Sequence, residues 1–241
     1  MSSAARVLII TGAGVSAESG IPTFRGAAAA FPDGRTAEGI PFEEALSRST
    51  FIKDPALSWK YFFLLEQSIR GKQPNAAHSA IAGMQTPRRS VCVATQNIDG
   101  LHQAAGSTFV LELHGSLHRV ICTGCERTET LATFEGMPRL PHCPQCGEIL
   151  RPDIVLYEEM LPGEPLEQLY REQGRGVDLV FSVGTTSLFR YVVEPVMLAA
   201  DAGTPVVEIN PDETPISHLA DFRFTDPAGK TLQAIAQAAN S

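Results

Sequence analysis

The sequence has no long apolar run, no block of positive charge and no internal repeat, and each absence removes a class of function. No stretch approaches the ~20 apolar residues that a membrane-spanning helix needs. The first apolar run, Val7-Leu8-Ile9-Ile10, is too short for a signal-peptide core and leads straight into a glycine-rich turn. A cytoplasmic protein with no membrane partner is expected. Lysine and arginine number 19 against 27 acidic residues, for a formal net charge of −8. Without clustered cations the chain lacks the electrostatic grip of a nucleic-acid binder, so no direct nucleic-acid partner is expected. Low-complexity sequence is confined to the four alanines at 27–30.

What is present is an ordinary globular composition: 241 residues, 44% hydrophobic and 19% charged, enough for one large domain or two unequal lobes. Four short, β-branched segments at 7–10, 91–94, 177–183 and 205–209 end in small or polar residues, as buried parallel strands do. Helical stretches separate them. Asp54-Pro55 reads as an N-cap and first helical residue, Leu57, Tyr61, Leu64 and Leu65 as an apolar face and Gly71 as a stop, predicting a helix over 55–70. A second is expected over 189–202, before Gly203, and a last one from Asp226-Pro227 with Leu232 and Ile235 on its buried face. This alternation predicts an α/β fold: a doubly wound, Rossmann-like parallel sheet that binds its ligand at the carboxyl ends of the strands. Residues 1–27, 78–115 and 151–241 are assigned to that domain. A helical module at 28–77 and the cysteine-bearing segment 116–150 make a smaller lobe.

Five cysteines are an odd number, and four of them form Cys122-x-x-Cys125 and Cys143-x-x-Cys146 with 17 residues between the pairs. Each CxxC turn aims two thiolates at one ion, and four thiolates close a tetrahedron with no position left for water, so one structural zinc per chain is predicted. A redox CxxC would not explain two pairs at ribbon spacing. Cys92, within Val91-Cys92-Val93-Ala94, reads as a small buried hydrophobe.

Gly12-Ala13-Gly14-Val15-Ser16-Ala17 follows the first strand and fits G-x-G-x-x-A, a turn that lets backbone N–H groups reach a pyrophosphate. Alone, it reads equally as a glycine turn packing helix on strand. A dehydrogenase would continue into a second strand ending in Asp or Glu; here the chain runs into Phe31-Pro32-Asp33-Gly34-Arg35.

The turn instead extends as Glu18-Ser19-Gly20-Ile21-Pro22-Thr23-Phe24-Arg25, completing GAGxSxxxGIPxFR from Gly12. Thr95-Gln96-Asn97-Ile98-Asp99-Gly100-Leu101-His102, Leu113-His114-Gly115, the paired CxxC motifs, Arg151-Pro152, Gly184-Thr185-Thr186-Ser187 and Glu208-Ile209-Asn210 follow in order. Together these resemble the sirtuin family over nearly the whole chain. The resemblance implies NAD-dependent removal of acyl groups from protein lysines, with NAD consumed as co-substrate and nicotinamide and O-acyl-ADP-ribose released. Its partners would be acylated-lysine proteins or peptides.

The resemblance also implies site roles. Gly12, Ala13, Gly14, Ala17, Phe24 and Arg25 would lie against NAD; Gln96, Asn97, Ile98 and Asp99 would line the nicotinamide and ribose pocket. Gly184, Thr185, Ser187, Asn210 and Ala228 would hold the adenosine half. His114, Asn97 and Asp99 would be catalytic, with His114 moving a proton at a ribose hydroxyl. Read without their flanking motifs, Asn97, Asp99 and Asn210 are turn-capping residues. His102 is assigned to the pocket wall or a structural bond, and His78, His118, His142 and His218 to structural roles.

Residues 151–159 align with the strand that pairs with substrate peptide in sirtuins, but Leu156, Tyr157 and Glu158 replace the family's Trp, Phe and Gly. Glu158 either alters the tunnel rim or favours basic residues near the target lysine, which bears on peptide preference and not on reaction type. Val155, Tyr157 and a strand at 188–189 are expected to form an apolar tunnel to His114. Phe62 and Leu65 fall where succinyl-preferring sirtuins carry Tyr and Arg, which points to acetyl and longer neutral acyl groups, with Arg70 the nearest candidate cation. An NAD glycohydrolase or ADP-ribosyltransferase is the rival enzyme, and a non-catalytic NAD-sensing module the rival of another class.

Overall fold

The computed structural model describes residues 5–23 and 34–240. Six parallel strands form the main sheet: β1 (Arg6–Thr11), β2 (Ser90–Thr95), β3 (Val110–Glu112), β7 (Leu179–Val183), β8 (Val206–Ile209) and β9 (Phe222–Phe224), in the order β3-β2-β1-β7-β8-β9. The four strands expected from the sequence are its buried centre. The edges β3 and β9, of three residues each, are too short to show a periodicity.

Alternation sorts the side chains. Val7, Ile9, Val91, Val93, Phe181 and Val207 face α4 (Ala76–Gly83) and α8 (Ala228–Asn240), where Ile81, Met84 and Leu232 are buried. Leu8, Ile10, Ala94, Val180 and Val206 face the other way, onto α6 (Gly163–Gly174) and α7 (Arg190–Asp201) through Leu169, Val192 and Val196. Cys92 belongs to this second face, and burial pushes its thiol up to about 12. Ile235 packs against the first face, as expected of the last helix. Among the described residues, no helix is long and apolar enough to cross a membrane.

The second core gathers the short helices α1 (Phe42–Ala45) and α2 (Arg48–Lys53), the longer α3 (Pro55–Ile69), and a three-stranded antiparallel sheet of β5 (Thr128–Thr130), β4 (Gly115–Cys122) and β6 (Leu150–Ile154). Asp54 caps α3 by accepting from the Leu57 N–H at 3.1 Å, with Pro55 behind it. The buried face of α3 is Ser58, Trp59, Tyr61, Phe62, Leu65, Glu66 and Ile69. Leu64, expected there, is 43% exposed; its place one position from Leu65 turns it about 100° off the face. Trp59 stands edge-on to Phe62 at 5.6 Å and donates to the Leu150 carbonyl at 2.8 Å, and Glu66 accepts from Thr133 at 2.9 Å. Helix and cysteine module are therefore one packed unit.

Candidate active site and metal centre

The order of the main sheet reverses between β1 and β7, and a crevice for a nucleotide opens at such a switch point. The Gly12 N–H donates to the Val183 carbonyl at 3.1 Å and the Gly14 N–H to the Gly184 carbonyl at 2.9 Å, so the two turns are joined across it. Side chains at Gly12 and Gly14 would not fit: a Cβ at Gly14 would lie 2.7 Å from Gly184 Cα, and one at Gly12 2.8 Å from the Gly184 oxygen. Residues Ala13–Ser19 form a 3-10 turn and not the α-helix a Rossmann motif leads one to expect, with Ala13 and Gly14 half-buried and Ala17 exposed. Gly14→Ala is accordingly expected to prise the turns apart and abolish measurable NAD binding in calorimetry, while the second core stays folded.

The turn after β2 is held by a chain of buried polar contacts. Asn97 donates both amide hydrogens, to the Gly12 carbonyl at 3.2 Å and to Ser16 Oγ at 3.0 Å, leaving Oδ1 as its acceptor. Ser16 donates to Asp99 Oδ2 at 2.7 Å, and Asp99 Oδ1 accepts from the Leu101 N–H at 2.9 Å. Gln96 ties this turn to the next by donating to Thr185 Oγ1 at 2.8 Å. Ile98 packs at the edge of the second core. Beyond β8, Asn210 donates to the Thr185 carbonyl at 2.7 Å. Ser187 is fully buried, with its hydroxyl lacking a partner among the described residues; such a hydroxyl beside Gly184 is what an anionic or sugar ligand would satisfy. Ala228 opens α8, whose Gly229 N–H donates to Glu18 Oε1 at 2.8 Å. Phe24 and Arg25 lie outside the described residues.

His114 sits between β3 and β4. Burial pushes its pKa down to about 4, partly offset by a hydrogen bond to the Gln96 backbone, so the imidazole is neutral and able to accept a proton. Its Nε2 lies 2.5 Å from the Tyr191 hydroxyl. Tyr191 was not foreseen, and nothing in the sequence ties two residues 77 positions apart. His78 also proves to belong to the site. Its Nδ1 accepts from the Asn75 N–H in a capping box and its Nε2 faces Ser16 Oγ at 3.4 Å; the Asn75-Ala76-Ala77-His78 spacing was the available signal. His102 is buried against Thr11 Oγ1 at 3.0 Å, and its pKa falls to about 3 through burial and the neighbouring His78 ring.

One expectation about the substrate side is corrected. Residues 188–189 are not a strand: Leu188 and Phe189 are 55% and 45% exposed, because Phe189 is the N-cap of α7 and stacks on Tyr191 at 5.5 Å. The ring reaching His114 is thus that of Tyr191, while Tyr157 is 39% exposed and Val155 half-buried, its N–H bonded to the His114 carbonyl. Glu158 is exposed and its carboxylate accepts from Ser49 N–H and Oγ, both at 3.0 Å, which offsets the left-handed φ of 74° at the family's glycine position. Arg70 is forked onto Glu66 with Nη2 at 2.5 Å.

The sulfurs of Cys122, Cys125, Cys143 and Cys146 all lie within 4.8 Å of one another, with Cys122–Cys146 at 3.3 Å and Cys125–Cys143 at 3.7 Å. Tetrahedral Zn–S bonds of ~2.3 Å require sulfur separations of about 3.8 Å, so the donor set fits zinc. Backbone N–H bonds from Cys125 and Gly124 hold the Cys122 thiol down to about 6, favouring the thiolate.

A switch-point crevice floored by paired glycine turns, beside a neutral histidine and a four-cysteine ribbon, defines a nucleotide-binding α/β protein with an inserted metal module. The profile of the Sir2 family matches residues 12–191, and the chain belongs to that family. A "NAD-dependent protein deacylase 2" of Pseudomonas aeruginosa is 45% identical over 228 residues, covering 93% of this chain and 89% of that one. A "NAD-dependent protein deacylase 1" of Archaeoglobus fulgidus is 39% identical over 226 residues, covering 94% and 89%. Among solved structures, a Sir2 homologue in complex with NAD superposes with a TM-score of 0.89 at 36% identity, covering 99% of this chain and 91% of that one. A Sir2–p53 peptide–NAD+ complex does so with 0.84 at 26%, covering 99% and 95%.

Proposed function

We propose that this chain removes acyl groups from protein lysines with NAD as co-substrate, yielding nicotinamide and O-acyl-ADP-ribose. The observation that carries the reading is the buried, neutral His114 set against the Gln96 backbone beside the Asn97–Ser16–Asp99 network. A pure NAD binder has no need of a base there. The relatives are named for this activity, and NAD, ADP-ribose and peptide complexes are known for Sir2 homologues.

NAD supplies an electrophilic ribose carbon once nicotinamide leaves. Asn97 and Asp99, held by the network, orient the carboxamide through Oδ1 and the backbone of the turn. Gly12, Ala13, Gly14 and Ala17 let the pyrophosphate approach, and Gly184, Thr185, Ser187, Asn210 and Ala228 hold the adenosine half. His114 acts in the second stage, taking the proton of a ribose hydroxyl that attacks the acyl carbon. Val155 and Tyr157 flank the lysine stem, while Phe62 and Leu65 form the floor beneath the acyl group. The protein is assigned to the cytoplasm. Incubation with NAD and an acetylated peptide should give peptide-dependent nicotinamide and O-acetyl-ADP-ribose; nicotinamide release indifferent to the peptide would instead identify a glycohydrolase.

Acyl selectivity follows from the floor. Phe62 is fully buried beside Trp59 and Leu65 is 8% exposed. Three cations packed around this core carry acidic partners of their own: Arg70 pairs with Glu66, Lys60 with Glu38 and Arg151 with Glu159. A buried carboxylate without its partner costs about 3–5 kcal/mol, whereas each buried methylene contributes ~0.8 kcal/mol. On one peptide, kcat/KM for succinyl-lysine is expected at least ~10-fold below that for acetyl-lysine, with butyryl accepted. Succinyl at or above acetyl would refute an apolar floor.

A further inference from the structure

Tyr191 stands in front of the one lone pair His114 can use. It lies in the first turn of α7, its ring edge-on to the imidazole at 5.7 Å and stacked on Phe189 at an interplanar angle of 12°. The Gln96 N–H is already given to the Thr11 carbonyl, which leaves the Gln96 carbonyl as the backbone group that favours a proton on His114; we therefore assign the tautomer with the proton on Nδ1. Nε2 is then an acceptor with a single in-plane lone pair, and at 2.5 Å the Tyr191 hydroxyl occupies it. A base so engaged takes up a proton only through the group bonded to it.

We propose that Tyr191 is a catalytic residue that relays the ribose proton to His114. This rests on the reading of His114 as the base. The ribose hydroxyl gives its proton to the Tyr191 oxygen as the phenol's own proton passes to Nε2. The ribose O–H bond breaks, an N–H bond forms on His114, and the ribose oxygen carries its electron pair to the acyl carbon, whose C=N π pair moves onto the lysine nitrogen. Tyr191 ends as the neutral phenol it began as. Burial pushes the phenol's pKa up, so phenolate does not accumulate and the two transfers are concerted.

Tyr191→Phe keeps the ring and its stack and removes only the hydroxyl. Deacylation kcat is expected to fall by ~10–100-fold, while exchange of labelled nicotinamide into NAD, which precedes the action of His114, and the KM for NAD stay unchanged. The double variant with His114→Ala should be no slower than His114→Ala alone, because both residues serve one transfer. In protein without NAD or peptide, long-range 1H–15N spectra should show the His114 Nε2 resonance of Tyr191→Phe moving toward that of a free imidine nitrogen.

Unchanged or raised kcat in Tyr191→Phe, with His114→Ala inactive, would overturn the relay and leave His114 as the base. Activity surviving in His114→Ala would overturn both. Equal losses in exchange and deacylation, or an unmoved Nε2 resonance, would also overturn the relay.

Discussion

Replacing His114 with alanine is expected to lower deacylation by ~10²–10⁴-fold, the usual worth of general acid–base assistance, while NAD binding and thermal unfolding stay near those of the parent. The imidazole contacts Gln96 and Tyr191 and sits outside the three hydrophobic clusters, so its loss opens no core. The pH profile offers an independent check. Burial holds the His114 pKa at about 4, below the ordinary histidine value, so the base form persists as pH falls and is lost only as pH passes down through about 4. An acid limb in single-turnover deacylation near pH 6.5 would mean that the imidazole is solvated during the reaction. A His114→Ala protein with most of its turnover would remove His114 from the mechanism.

Cys122→Ser should leave little soluble protein. Cys122 and Cys143 are 1% and 3% exposed and belong to the same hydrophobic cluster as Trp59, Phe62 and Phe134. Structural zinc contributes about 10–16 kcal/mol in small domains, comparable to the entire ~5–15 kcal/mol stability of a folded protein. Because Trp59 and Glu66 bond α3 to this module, the damage should reach the floor proposed for the acyl group. Strong chelation should likewise broaden the unfolding transition and abolish activity before NAD binding is lost. Metal analysis finding no zinc in soluble, active protein would refute the assignment, as would Cys122→Ser protein that unfolds like the parent.

The parts legible in the sequence are those with a local rule. Buried parallel strands announce themselves as β-branched runs; Asp54-Pro55 states where α3 begins; and 17 residues between two CxxC pairs nearly dictate the ribbon. What was illegible depends on distant contacts. Leu64 and Leu65 are equally apolar, and only the packing of α3 decides which is buried. Glu158 looks like a free surface charge until the fold brings Ser49 to it, whereas the pairing of Arg70 with Glu66 at i,i+4 was local and could have been read from the sequence. Tyr191 is the clearest case, since only the fold brings the first turn of α7 to His114, 77 positions away.

The strand that carries the glycine turn precedes both of its sheet partners in the chain and is among the last to be satisfied. β1 pairs on one side with residues 90–95 and on the other with 179–183, and Glu18 finds its partner at Gly229. Contacts so far apart in the chain close slowly, because the intervening loops must be ordered before they are rewarded. A nascent chain therefore holds one edge of the largely apolar β1 unpaired until residues 179–183 have emerged. NAD, whose crevice forms only when β1 and β7 meet, should speed the final step of refolding without affecting the earlier compaction of the cysteine module.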